Sequence, residues 1–143
     1  MNSKVTPDVV DVIVQRSLWG SGNNLINDEG DQIASSLYNP TSKLSCCLGI
    51  ALQSVGVPKK KMVNFLIPVE LNASEIPKRL QKLVLKEFFE VIKTLVMIND
   101  ALVGNEVEDS FADTDFILKD EAHRERLLHK YGLLVGINFT FVD

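Results

Sequence analysis

The most chemically suggestive stretch of the sequence is a run of hydroxyl, amine and thiol side chains before an apolar segment. Residues 42–47 read Ser-Lys-Leu-Ser-Cys-Cys. We expect Ser42 or Ser45 to cap a central helix that ends at Gly56. The positive end of a helix dipole, exposed backbone amides and the Lys43 amine together favour an anion. The stretch therefore predicts an anion site at Lys43 and Ser45, although the same residues also suit a simple N-cap.

A tryptophan followed by small polar residues is a second candidate for the same site. Trp19 precedes a Gly-Ser-Gly-Asn-Asn segment that includes Asn23. The start signal Thr6-Pro7-Asp8 predicts a first helix to about Leu18, which would place Arg16 on the same face as Trp19. An indole can stack on a base or ribose, and a guanidinium can pair with phosphate. Trp19 also suits a core anchor, and both interpretations stay open.

Two polar residues interrupt a later apolar segment. Apolar residues recur with a helical period from Ser74 to Gly104, which predicts one long helix or two joined near Leu85. Asn99 and Asp100 fall within this segment. At least one of them should turn inward, either to hydrogen-bond a neighbouring helix end or to face a ligand pocket. The candidate ligand-binding residues are therefore Arg16, Trp19, Asn23, Lys43, Ser45 and Asn99.

Catalytic and metal-binding patterns are weak in this sequence. Cys46 or Cys47 could act as a nucleophile with His123 or His129 as base, but no local motif supports this alternative. Adjacent cysteines and histidines six positions apart do not fit zinc. The glycine pattern of a P-loop is also absent. We therefore expect a protein that is not an enzyme and that has no metal and no cofactor.

The length and composition fit one domain covering residues 1–143. The chain has 45% hydrophobic and 24% charged residues. A last helix is expected from Lys119 to Tyr131, with Gly132 as its end. Ile137, Phe139 and Phe141 then alternate with polar residues and predict a half-buried strand, which we expect to pair with a strand from residues 25–44. The prediction is an α+β, mostly helical single domain with a small antiparallel sheet that includes the C-terminal strand.

Charge and hydropathy bear on partners and location. Basic residues dominate 59–93 and acidic residues dominate 106–125, while the net charge is −4. The net charge disfavours direct binding of nucleic acid. No apolar stretch approaches the ~20 residues needed to span a bilayer, and the adjacent cysteines form no disulfide framework, so we expect a cytoplasmic protein without membrane contact. The broad apolar arc within 74–103 predicts a homo-oligomer.

Four segments carry a resemblance to a known family. They are Tyr38–Gly49, Val55–Pro58, Met97–Asp100 and Phe139–Val142. In this order the chain resembles small proteins of tailed phages that share a Cys-Leu-Gly helix and an Asn-Asp helix. The resemblance implies phage origin and a place in the host cytoplasm. Small accessory phage proteins often counter host defence, and one strategy is to sequester nucleotide signals.

Two functional hypotheses follow. The first is a phage anti-defence protein that sequesters a small phosphorylated, nucleotide-type immune signal without catalysis. The alternative is a protein-interaction inhibitor that acts through the acidic surface of residues 106–115 as a nucleic-acid mimic or docking rim.

Overall fold

A computed structural model describes residues 9–21, 29, 35–63, 65–109 and 114–143. The described residues form an α+β domain, which confirms the predicted fold class. Its strands are β1 (Val10–Gln15), β2 (Glu106–Asp109), β3 (Thr114–Ile117) and β4 (Ile137–Val142). Its α-helices are α1 (Cys47–Ser54), α2 (Phe89–Asp100) and α3 (Glu121–Leu134). Short 3-10 turns connect α1 to α2.

The predicted first helix is wrong, because the residues before Trp19 form strand β1. Val10, Val12 and Val14 are buried, whereas the residues between them are exposed. This alternation is the pattern of a half-buried strand, and β-branched residues pack well on a pleated sheet. Arg16–Leu18 is a single 3-10 turn after the strand. The start signal at residues 6–8 lies outside the described residues.

The C-terminal strand is confirmed, but its partner differs from the prediction. Ile137 and Phe139 are buried and Thr140 is exposed, as the alternation requires. β4 pairs in parallel with β1, from Val10↔Ile137 to Gln15↔Val142, and not with a strand from residues 25–44. Parallel strands need a long connection, which the helices supply here. The antiparallel pair is β2 with β3, so the C-terminal strand lies outside the antiparallel sheet.

The central helix is confirmed, but its predicted cap is not. α1 begins at Cys47 with Cys46 at the N-cap position, and no N-cap side chain bonds to the first turn. Neither Ser42 nor Ser45 occupies that position. The helix ends before Gly56, whose φ of 101° is a left-handed conformation that suits glycine.

The long apolar segment is α-helical only in its second half. Short 3-10 segments occupy residues 73–75, 78–84 and 86–88, the second of them interrupted by non-helical backbone at Leu80, and the α-helix starts at Phe89. Leu85 is extended, at φ −84° and ψ 133°, so a break near this residue is confirmed. The last helix extends past Gly132 to Leu134. A Cβ at Gly132 would lie 2.8 Å from the Phe139 ring, so glycine here lets α3 approach β4 closely.

The core lies between the helices and the inner face of β1 and β4. Most of the apolar arc expected to drive self-association is already covered within the chain. Leu83, Val91, Ile92 and Leu95 are buried in the core, whereas Phe89 is exposed. Self-association therefore stays a prediction. No helix in the described ranges has the length and apolar character needed to cross a bilayer.

Candidate functional site

A narrow cleft beside α1 holds two of the residues predicted to bind an anion. We call it the lysine cleft. Its volume is about 80 Å³, and its lining residues are Leu18, Lys43, Ser45, Ile50, Gln53 and Lys59. Two lysines, a serine and a glutamine thus line this cleft together with two aliphatic residues. Lys43 and Ser45 were predicted for this site, whereas Gln53 and Lys59 were not.

Lys43 is held at the cleft by a tight loop. Its backbone N–H donates to the Asn39 carbonyl at 2.7 Å, and the Asn39 side-chain oxygen accepts from the N–H of Thr41 at 2.8 Å. Lys43 itself has a φ of 64°, in the left-handed region that residues with a Cβ rarely adopt. Glycine would adopt this conformation without strain. A strained non-glycine residue that is stabilised by its surroundings is a feature often found at functional sites.

Ser45 forms the polar floor of the cleft. Its backbone bonds on both sides to the segment that follows β1, because its N–H donates to Leu18 O at 3.1 Å and its carbonyl accepts from Gly20 N at 2.8 Å. The residue is only 4% exposed. Gln53 Nε2 donates to Ser45 Oγ at 2.8 Å, and this is the hydroxyl's hydrogen bond within the described ranges. The Ser45 hydroxyl is thus fixed as an acceptor while its own proton can still be donated.

Lys59 supplies the second amine. It follows Pro58 in a short 3-10 turn, and its Nζ lies 5.3 Å from the centroid of the Tyr38 ring. Among the described residues no carboxylate lies within salt-bridge distance of Lys43 or Lys59. None of the lining residues is acidic either. Two lysines without a carboxylate partner among the described residues, together with a buried hydroxyl donor, make this cleft suited to an anion.

Trp19 and Asn99 lie behind the cleft rather than in it. Trp19 is 3% exposed, and its Nε1 donates to Asn99 Oδ1 at 2.8 Å. The stacking role predicted for Trp19 is therefore corrected, since a buried indole offers no face to a ligand. Asn99 also accepts from Cys47 N at 3.2 Å and donates to Gly20 O at 2.9 Å. Of its two predicted roles, the structure supports the bond to a neighbouring helix end.

Arg16 is also separate from the lysine cleft. Its Nε and Nη2 donate to the two carboxylate oxygens of Glu125, both at 2.8 Å, and its Nη1 donates to Asp143 at 2.7 Å. Two carboxylates thus occupy the guanidinium that was predicted to hold phosphate. Arg16 and Trp19 do not share a helix face, because the residues before them form a strand and not the predicted helix. Asn23, the remaining predicted residue, lies outside the described residues.

A buried arginine was not anticipated among the structural residues. Arg124 is fully buried and donates to the carbonyls of Ile98, Asn99 and Ala101 at 2.6, 2.9 and 2.7 Å. These carbonyls end α2, and a cation there complements the negative end of the dipole. Leu128 and Tyr131 follow at helical spacing and are buried too, so position 124 lies on the apolar face of α3. This helical spacing is the sequence signal that could have placed Arg124 in the core.

The cysteines and histidines do not line the lysine cleft and are poorly suited to nucleophilic catalysis. Burial raises the pKa of the Cys46 thiol to about 12, and it also raises the pKa of Cys47. An attacking thiolate needs the opposite shift. His123 Nδ1 accepts from Lys119 N at 3.0 Å, and His129 Nδ1 lies 3.1 Å from Phe139 O. Both rings are thus fixed by backbone groups.

Two wider clefts carry different chemistry. One, of about 490 Å³, lies along α3 and includes Glu125, Arg126 and His129. Its Glu125 carboxylate is already paired with Arg16. The other, of about 290 Å³, includes Glu106 and Glu108, so its charge disfavours an anion.

Comparisons of the chain with protein-family models, with curated proteins and with solved structures find no match.

Proposed function

We propose that this chain binds a small phosphorylated ligand in the lysine cleft and holds it without chemical change. The observation that carries the proposal is the Ser45 hydroxyl, which is buried, oriented by Gln53 and able to donate into a cleft bordered by two amines. A phosphate oxygen is an acceptor for all three donors. Hydrogen bonds to charged groups contribute about 1.5–3 kcal/mol each, so each amine should matter about tenfold or more in affinity.

The aromatic ring beside Lys59 favours a nucleotide. Tyr38 is half-buried, and the Lys59 amine lies over its ring at 5.3 Å. A phosphate in the cleft would draw this amine toward itself and leave the ring face for a base. Stacking on an aromatic side chain is worth about 1–3 kcal/mol per base. Tyr38 thus replaces Trp19 as the candidate stacking residue.

Binding without turnover is supported by the lining of the cleft. Its described lining residues include no carboxylate, histidine or thiol that could act as general base or nucleophile. The resemblance to small phage proteins suggests the setting, an infected host cell. We propose that the protein is a phage anti-defence factor that sequesters a phosphorylated nucleotide-type immune signal in the host cytoplasm.

The second candidate is a protein-interaction inhibitor that acts through the acidic hairpin of β2 and β3. Glu106, Glu108 and Asp115 are exposed, and a hydrogen bond to Asp115 raises the pKa of Glu106. The charge of Asp115 also repels that of Glu106, and a basic partner would relieve this repulsion. Only part of the acidic segment supports this proposal, since residues 110–113 lie outside the described residues. Replacing Glu106 and Glu108 with Gln should abolish such an interaction and leave binding of phosphate unchanged.

Calorimetric titration with 5′-AMP tests the leading proposal. We expect saturable binding with a Kd of about 1 mM or tighter in the unaltered protein, a modest affinity for so few contacts. Lys43→Ala and Lys59→Ala should each weaken binding about tenfold or more. Gln53→Glu should weaken it too, because it places a carboxylate in the cleft. AMP recovered after a long incubation should be unchanged.

Matched variants test the contact with the base separately from the contacts with the phosphate. Tyr38→Leu should weaken binding of AMP and leave binding of inorganic phosphate unaltered. Arg16→Ala should change neither, because this guanidinium pairs with Glu125 and Asp143 outside the cleft. Absence of saturable heat with the unaltered protein would contradict the proposal and leave the acidic hairpin as the better candidate.

A further inference from the structure

We infer that the lysine cleft selects a terminal phosphate monoester over a phosphodiester. This inference rests on the proposed function and narrows its ligand class. It is carried by three properties of the cleft, namely its volume, the number of its donors and the charge of its lining.

The volume admits a phosphate group and little else. Clefts that enclose a drug-sized ligand start at about 300 Å³, whereas this one measures about 80 Å³. A nucleotide must therefore place only its phosphate inside and leave the sugar and base outside. A terminal phosphate can do this, because one ester bond leads out of the cleft. The phosphorus of a diester has two substituents, and both would have to leave past the aliphatic walls of Leu18 and Ile50.

The donors match the oxygens of a monoester. A monoester has three terminal oxygens, and the cleft offers the amines of Lys43 and Lys59 and the hydroxyl of Ser45. A diester has only two terminal oxygens. Because Ser45 is 4% exposed, a hydroxyl without an acceptor there is costly, and a third oxygen would satisfy it.

The charge also matches a monoester. A phosphate monoester loses its second proton with a pKa of about 6 and approaches a charge of −2 above pH 7. Two amines would balance this charge, and among the described residues the cleft has no carboxylate to offset them. A diester carries a single negative charge. Beside the cleft, the Lys59 amine lies over the ring of Tyr38, at 5.3 Å from its centroid.

The experiment compares 5′-AMP with 3′,5′-cyclic AMP by calorimetry at pH 7.5 and pH 5.5. The two share base and ribose and differ in whether the phosphate is a monoester or a diester. We expect 5′-AMP to bind at least about tenfold more tightly at pH 7.5, because it adds one charge and one acceptor. Its affinity should fall roughly fourfold at pH 5.5, where about a quarter is dianionic, and the affinity of the diester should stay constant.

A variant of a residue that does not line the cleft controls for pH effects on the fold. Asp100 has its pKa raised to about 6 by burial and therefore titrates in the same range, but it does not line the cleft. Asp100→Asn should bind AMP with the same pH dependence as the unaltered protein. If that dependence disappears in Asp100→Asn, the ligand charge is not its cause and the inference fails.

The two levels of proposal fail in different ways. If the diester binds as tightly as the monoester, and Lys43→Ala weakens both, the selectivity is refuted while the phosphate site stands. If neither nucleotide binds, the proposed function itself is refuted. Equal monoester affinity at both pH values would also overturn the inference, because the second charge would then contribute nothing.

Discussion

Asn99 Oδ1 accepts a hydrogen bond from Trp19 Nε1 at 2.8 Å across 80 positions of sequence. The same oxygen accepts from the first backbone N–H of α1, at Cys47, and the Asn99 amide donates to Gly20 O. One side chain therefore joins the segment that follows β1, the start of α1 and the end of α2. Since Gly20 N in turn donates to Ser45 O, this arrangement also fixes the floor of the lysine cleft.

Removing the Asn99 side chain should destabilise the protein strongly. Asn99→Ala leaves an indole N–H, a backbone N–H and a carbonyl buried without this partner, and each such loss costs about 1–3 kcal/mol. We expect the free energy of unfolding to fall by about 3 kcal/mol or more, measured by chemical denaturation.

Trp19→Phe is the matched control. It keeps an aromatic ring and removes one hydrogen bond, so we expect a smaller loss of about 1–2 kcal/mol. The affinity for AMP should stay within twofold of the original, because Trp19 does not line the cleft. Loss of AMP binding in a folded Trp19→Phe protein would restore the stacking role that the sequence suggested.

We expect Lys43 to support ligand binding at a cost in the stability of the protein. Its φ of 64° is costly for a residue with a Cβ and not for glycine. Lys43→Gly and Lys43→Ala both lose the amine, so both should lose affinity for AMP. They differ in strain, and we expect Lys43→Gly to be more stable than Lys43→Ala by about 1 kcal/mol in thermal unfolding. Equal stability of the two variants would show that the loop relaxes.

Stability should depend on pH through Asp100. Burial raises its pKa to about 6 from the ordinary value of 3.8, so the folded protein binds this proton more tightly than the unfolded chain does. The contribution of Asp100 is fully present below its unfolded pKa and is lost as pH rises through 6. It amounts to about 3 kcal/mol at most.

Denaturation at pH 5 and pH 7.5 checks this prediction. The unaltered protein should lose more stability than Asp100→Asn between these values, because only the former must bury a charge at the higher pH. The other acidic residues are the same in both proteins, so their contributions cancel in the comparison. An identical pH dependence in both proteins would mean that Asp100 stays ionised and solvated.

The C-terminal strand offers a packing test. Phe139 is 2% exposed and contacts Gly132 of α3, whereas Thr140 faces solvent. Phe139→Ala should cost about 3–5 kcal/mol, the usual range for a buried aromatic side chain, and Thr140→Ala should be nearly neutral. Equal melting temperatures would contradict the observed orientation of β4.

Local sequence patterns predicted the elements whose pattern fits only one type of secondary structure. The alternation of β4 indicates a strand and nothing else, and the run after Cys46 is too apolar to be a surface element. The residues of β1 carry both a strand alternation and an upstream helix-start signal. The pairing with β4 decided between them, and a contact across the whole chain leaves no local mark.

The site was predicted in part for the same reason. Lys43 and Ser45 precede a helix, so their role could be inferred locally. Gln53 reaches Ser45 across two helical turns, and Lys59 returns to the cleft only because the chain turns at Gly56. Arg16 was misassigned because its partners Glu125 and Asp143 are distant in sequence.

An NMR titration of the ¹⁵N-labelled protein with 5′-AMP tests the phosphate site most directly. We predict saturable shifts with a single Kd at the Gln53 side-chain amide and at the backbone amides of Lys43 and Ser45. The Trp19 indole N–H, bonded to Asn99 behind the cleft, should shift little. Saturable shifts confined to α3, or no shifts at the three cleft residues at saturating AMP, would contradict the phosphate site.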